Sequence, residues 1–110
     1  MKSGNLLTIL LMAVLAAGCR KQDIRLARIT VPQMSGQGCV ERVVGIARRI
    51  PGVQADRISV DRERRELTVP YDSLKLSLKN IEYALAEAGF QANDIPADEA
   101  ARATLPETCR

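Results

Sequence analysis

The sequence predicts an α+β sandwich of order βαββαβ: a four-stranded antiparallel sheet with two helices on one face. Three observations carry it. Apolar residues alternate with polar ones in short runs, they recur at helical spacing in two longer runs, and Pro-Gly or Gly closes each helical run. At 110 residues, 46% of them hydrophobic, the chain suits one domain and is too short for two ordinary ones.

Each element follows from its own pattern. Ala27, Ile29 and Val31 alternate with Arg28 and Thr30, which predicts a strand with one buried face. A loop from Pro32 to Gly38 follows. Val40, Val43, Val44, Ala47 and Ile50 then fall on one side of a helix, with Glu41, Arg42, Arg48 and Arg49 on the other, and Pro51-Gly52 stops it. Val53 to Asp61 reads as a second strand with Ile58 and Val60 inward. Arg62 to Arg65 connects it to a third through Leu67, Val69 and Tyr71. Pro70 cannot donate to a ladder, so it belongs at a bulge, a strand end or a non-bonded position. Leu74, Leu78, Ile81, Leu85 and Ala88 form the second helical stripe, Gly89 caps it, and a short strand follows near Phe90 to Asn93.

Two right-handed βαβ crossovers in this order give the split-βαβ, ferredoxin-like arrangement. The domain plan is a leader at 1–18, an anchor and spacer at 19–25, the folded domain at 26–93, and a C-terminal tail at 94–110 with a short helix over Ala97 to Ala103.

Composition removes whole classes of function. There is no His, so imidazole metal ligands, Ser-His-Asp and Cys-His nucleophile pairs are excluded. Sixteen basic against thirteen acidic residues is too balanced to argue nucleic-acid binding, and with no Trp, two Tyr and one Phe there is no base-stacking platform. No catalytic apparatus is expected.

The three cysteines remain to be explained. Lys2, the apolar run Leu6 to Ala17 and the small residues before Cys19 form a secretory leader too short to span a bilayer, where roughly 20 residues are needed. Ala16, Ala17, Gly18 and Cys19 resemble the lipobox of bacterial lipoproteins, with Leu15 one place earlier than the motif's usual Leu. The resemblance implies that Cys19 carries diacyl lipid and that the chain is tethered on the extracytoplasmic side of a membrane. Arg20 after it slightly favours the outer membrane, where the cell has one. Such a compartment is oxidising.

From Ile29 to Ala92 the chain resembles the heavy-metal-associated domain of copper chaperones, periplasmic mercury-binding proteins and metal-pumping ATPases. The matching residues are ITVPQM at Ile29 to Met34, Met34 and Cys39 five apart, IPGV at Ile50 to Val53, SVD at Ser59 to Asp61, LTVPYD at Leu67 to Asp72 and IEYALAEAGF at Ile81 to Phe90. The family's loop reads Met-x-Cys-x-x-Cys, and here MSGQGC places Gly36 at the first Cys. Two facing thiolates suit a soft ion such as Cu(I), and one alone holds it poorly.

The resemblance places Cys39, exposed, in the first turn of helix one, where free N–H groups and the helix dipole favour a thiolate; the other reading is an inert, small apolar residue of a decayed site at the core edge. Cys109 is the internal candidate for a partner. With the last strand leaving at the end opposite the loop, the tail must run back one strand length of about 17–20 Å, and its 15 steps from Asp94 reach up to about 50 Å. Three outcomes stay open: an independent or intermolecular Cys109, a joint Cys39/Cys109 metal site, or a disulfide. Met34 reads as core filler beneath the loop, and Arg57, Arg62, Arg64 and Arg65 as a solvated hairpin.

The expected function is binding or passing a soft metal ion, copper first and mercury type second, through Cys39, with Cys109 or the thiol of another metal-carrying protein. The alternative is a degenerate domain kept as a non-metal interaction or structural module of the cell envelope.

Overall fold

The computed structural model describes residues 21–110, so the expected leader and Cys19, the expected lipid attachment point, lie outside the described residues. β1 (Ile24–Thr30) leads through a loop to α1 (Gln37–Arg48); a 3-10 turn (Ala55–Arg57) precedes β2 (Ser59–Asp61) and β3 (Glu66–Asp72); α2 (Leu78–Glu87) and α3 (Glu99–Ala103) follow, and a last 3-10 turn (Glu107–Cys109) closes the chain. No helix among the described residues is long and apolar enough to cross a membrane.

The sheet is antiparallel with order β1-β3-β2. Ala27 and Ile29 of β1 and Leu67, Val69 and Tyr71 of β3 turn inward and are buried, as their alternation predicts. Against them pack Val40, Val43 and Ala47 of α1 and Ile81 and Leu85 of α2, with Met34 and Phe90 sealing the loop end. Pro70 sits in the central strand without cost to the ladder. Its carbonyl accepts from Gln54 N at 2.8 Å, and N and O of one strand residue point to the same side. The absent donor therefore faces the edge where β2 has already ended.

The second strand is shorter than the expected Val53 to Asp61, because the 3-10 turn interrupts it and Val53 keeps only an isolated bridge to Tyr71. Leu74 is not part of the second helical stripe: it lies in the turn before α2, 63% exposed. The helix starts instead at a capping box between Ser77 and Asn80. It ends in a Schellman arrangement, Phe90 N to Leu85 O at 3.0 Å and Gly89 N to Ala86 O at 3.0 Å, with Gly89 at φ +100°.

The main correction is the fourth strand, since three strands form the sheet among the described residues. The chain turns at Asn93-Asp94, and Ala92 and Ile95 close that turn with reciprocal backbone bonds of 3.1 and 3.0 Å. Asn93 takes the left-handed conformation, φ +51°. It stands in for the missing strand: its N donates to Thr30 O at 2.9 Å, its Oδ1 accepts from Thr30 N at 2.9 Å, and its Nδ2 reaches Arg28 O at 3.3 Å. The same Nδ2 donates to the buried Glu82 at 3.0 Å, which ties the clasp to α2.

This turn decides where the tail goes. With no strand to carry it away, the chain stays beside the loop end, and Asp98 N donates to Ala86 O at 2.8 Å near the end of α2. The expected return across a strand length is not needed.

Candidate metal site

The loop between β1 and α1 is fixed from both sides. Val31 N donates to Arg65 O at 2.8 Å, and Arg65 returns a guanidinium bond from Nη1 to Pro32 O at 2.8 Å, which pins the loop to the β2–β3 hairpin. Arg65 thus has a structural task that a solvated hairpin does not require, while Arg64 pairs with Asp61 as that reading expects. Inside the loop, Met34 N bonds to Val31 O at 3.1 Å, and Met34 is 1% exposed, consistent with core filler.

Gly36 caps α1 with extended backbone and no side-chain bond, and Cys39 lies in the first turn. Its side chain points into the core. Cys39 is 2% exposed, so the expected exposed position is corrected: residues of the tail cover it.

Cys109 is what covers it. The structure joins Cys39 and Cys109 in a disulfide, with Cα atoms 5.6 Å apart across a sequence separation of 70 residues, and Cys109 is also 2% exposed. Of the three outcomes left open by the sequence, the disulfide is the one the structure contains. Both sulfurs are then neutral and neither offers a thiolate, so the helix-terminal stabilisation expected for Cys39 applies to the reduced form alone.

The tail reaches the loop through contacts that pattern reading did not find. Gln33 Nε2 donates to Gly89 O at 2.8 Å and to Cys109 O at 3.3 Å, while its Oε1 accepts from Gln91 N at 2.7 Å. Ser35 Oγ donates to Thr108 O at 3.3 Å. Leu105 is buried, and the backbone of α3 passes so close to Gly89 that a Cβ there would lie 2.7 Å from Arg102 N. Nothing in the residue types marks Gln33 or Ser35, because their partners are backbone groups placed by the path of the chain after α2.

Among the described residues no group of three or more His, Cys, Asp or Glu lies close enough together to hold a metal ion. A pair of thiols suits soft-ion chemistry and not the oxygen-rich shell of Ca²⁺ or Mg²⁺.

Residues 28–91 match the model of the heavy-metal-associated domain, and this chain belongs to that family of metal-binding and metal-trafficking domains. Among solved structures it is similar to oxidised MerP from Ralstonia metallidurans CH34, at 25% identity and a TM-score of 0.59, over 64% of this chain and 96% of that one. A comparison with curated proteins gives no match.

Proposed function

We propose that this chain is a lipid-anchored, extracytoplasmic domain that binds or passes a soft metal ion of the copper or mercury type, using Cys39 and Cys109 as its two thiols. One observation carries the reading. Gly36 removes the family's first loop thiol, and the tail brings another to a Cα distance of 5.6 Å from the thiol that remains. Two sulfurs close enough to bond are, once reduced, close enough to face one ion from two sides.

The disulfide is then the closed form of the site. Disulfide sulfurs carry no charge and are poor ligands, so binding requires two electrons and two protons from a thiol reductant first. An oxidising compartment makes that requirement meaningful, because the reduced pair would persist only where a donor supplies it. A partner thiol could complete the exchange by displacing one ligand at a time. The chain acts as a binding module and not as an enzyme, and copper is the first ion to try.

A second reading has its own support. Both cysteines are 2% exposed, and a buried disulfide closing a long loop is what a purely structural staple looks like. On that reading the domain keeps the fold as an envelope interaction module. The two separate under anaerobic titration of the fully reduced chain with Cu(I) or Hg(II). Stoichiometric binding lost in Cys109→Ser supports the metal site. Equal affinity of wild type and Cys109→Ser would sink the shared site, and no binding to the reduced protein would favour the staple.

A further inference from the structure

We infer that Gln33 is a positioning residue that keeps Cys109 opposite Cys39 after the disulfide is reduced, so that the two thiols form a preassembled pair and not a tail set free. The inference deepens the metal reading and rests on it for the identity of the ligand alone. It concerns which state reduction creates: an open loop with a loose tail, or a closed domain with two adjacent thiols.

The contacts that hold the tail do not depend on the sulfur–sulfur bond. Gln33 stands at the junction of three segments: its amide nitrogen serves Gly89 O at the end of α2 and Cys109 O in the tail, and its oxygen serves Gln91 N. These bonds use the planar amide at both ends, so the side chain fixes where Cys109 lies relative to the end of α2. Further out, Ser35 Oγ holds Thr108 O, Arg110 Nε closes the last turn on Leu105 O at 3.0 Å, and Leu105 itself is buried. Asp98 caps α3 through Ala101 N, and its own N is tied to Ala86 O. The close backbone approach at Gly89 makes the docking of α3 specific to that glycine. Reduction removes one covalent link and leaves all of these.

A tail held in place raises the effective concentration of one thiol at the other. For the exchange in which the protein disulfide and two molecules of glutathione give two protein thiols and one glutathione disulfide, that concentration sets the equilibrium. Loosening Cys109 in the reduced chain shifts the balance toward the dithiol. A change that merely destabilised the fold equally in both redox states would leave this balance where it is, so the equilibrium separates positioning from general support.

The experiment uses the full chain with Cys19→Ser, so that two thiols titrate, equilibrated anaerobically in glutathione buffers and quenched in acid. Gln33→Met keeps the length of the side chain and removes both donor and acceptor. The expected result is a shift toward the dithiol of about three- to tenfold, the range for losing net hydrogen bonds to a positioned group. Ser35→Ala shifts it the same way by less. Equilibria unchanged in both variants overturn the proposal. A second measurement needs no variant: in the reduced chain, alkylation of Cys109 by iodoacetamide is expected to be at least about tenfold slower than in urea, as for a group protected by native structure. Alkylation of Cys109 at the urea rate while Cys39 stays protected would show a released tail and overturn it equally. Neither readout involves metal, so a failed metal titration and a failed positioning test remain distinct results.

Discussion

Asn93 and Thr30 are joined by two hydrogen bonds of 2.9 Å, one between backbones and one from Thr30 N to the Asn93 side chain, at the place where a fourth strand would have begun to pair with β1. One residue in the left-handed conformation ends the sheet and turns the chain back toward the loop that carries Cys39. The position of Cys109 follows from that turn.

Asn93→Ala is expected to cost about 2–3 kcal/mol, since Thr30 N and the buried Glu82 both lose a partner. Asn93→Gly is expected to cost less, because it relieves the left-handed backbone at φ +51° while losing the same side-chain bonds. Urea unfolding of the oxidised proteins measures both: no loss in Asn93→Ala would contradict the clasp, and a smaller loss for Ala than for Gly would contradict the left-handed backbone.

The disulfide closes a long loop, with 70 residues of separation between its cysteines. Chain-entropy arguments put its contribution at about 4 kcal/mol as an upper figure, and 2–4 kcal/mol is expected between the oxidised chain and the Cys39→Ser/Cys109→Ser double variant. Equal urea midpoints would mean that the link adds nothing to the folded state.

Glycines separate by environment. A Cβ at Gly89, held at φ +100°, would meet Arg102 N at 2.7 Å and Ala101 C at 2.9 Å, both backbone atoms that cannot step aside. Gly89→Ala is therefore expected to lose about 2 kcal/mol or more and to undock α3, seen as faster hydrogen exchange from Glu99 to Ala103. Gly45 lies inside α1 with open space where a Cβ would go, so Gly45→Ala is expected to gain about 0.5–1 kcal/mol. The two changes should move thermal midpoints in opposite directions.

The family's loop can be rebuilt at one position. A Cβ at Gly36 has nothing within 4 Å, and Gly36→Cys turns MSGQGC into Met-x-Cys-x-x-Cys. In Gly36→Cys/Cys109→Ser, soft-metal affinity is expected to return without any thiol from the tail. Affinity no higher than that of Cys109→Ser alone would mean that the loop geometry itself has been lost, and the tail thiol would then be no substitute for it.

Periodicity made the core legible in the sequence: Ala27 and Ile29, Val43 and Ala47, Leu67 and Val69, Ile81 and Leu85 are buried where their spacing placed them. Gly89 was legible because a helix end needs a residue free to take positive φ. The fourth strand was not, since Phe90 to Asn93 carries apolar residues that a strand or a sealing turn can use equally well, and the side-chain bonds of Asn93 to β1 decide between them. The site was half legible. Cys39 stood in a recognisable loop, and Cys109 was the one other cysteine besides Cys19, the expected lipid attachment point. Their meeting depended on the path of 16 residues of tail after Asn93, fixed by contacts to backbone carbonyls that leave no pattern.

On the proposed reading, Cys39 and Cys109 together form a soft-metal site that the disulfide closes. The most direct measurement is anaerobic titration of the full chain carrying Cys19→Ser with Cu(I), in competition with a chromophoric chelator, in three forms: fully reduced, oxidised, and reduced with Cys109→Ser. One ion per reduced chain, none per oxidised chain, and an affinity at least about a hundredfold weaker in Cys109→Ser are expected, as one thiolate replaces two. Affinity equal in the reduced wild type and in Cys109→Ser would contradict it.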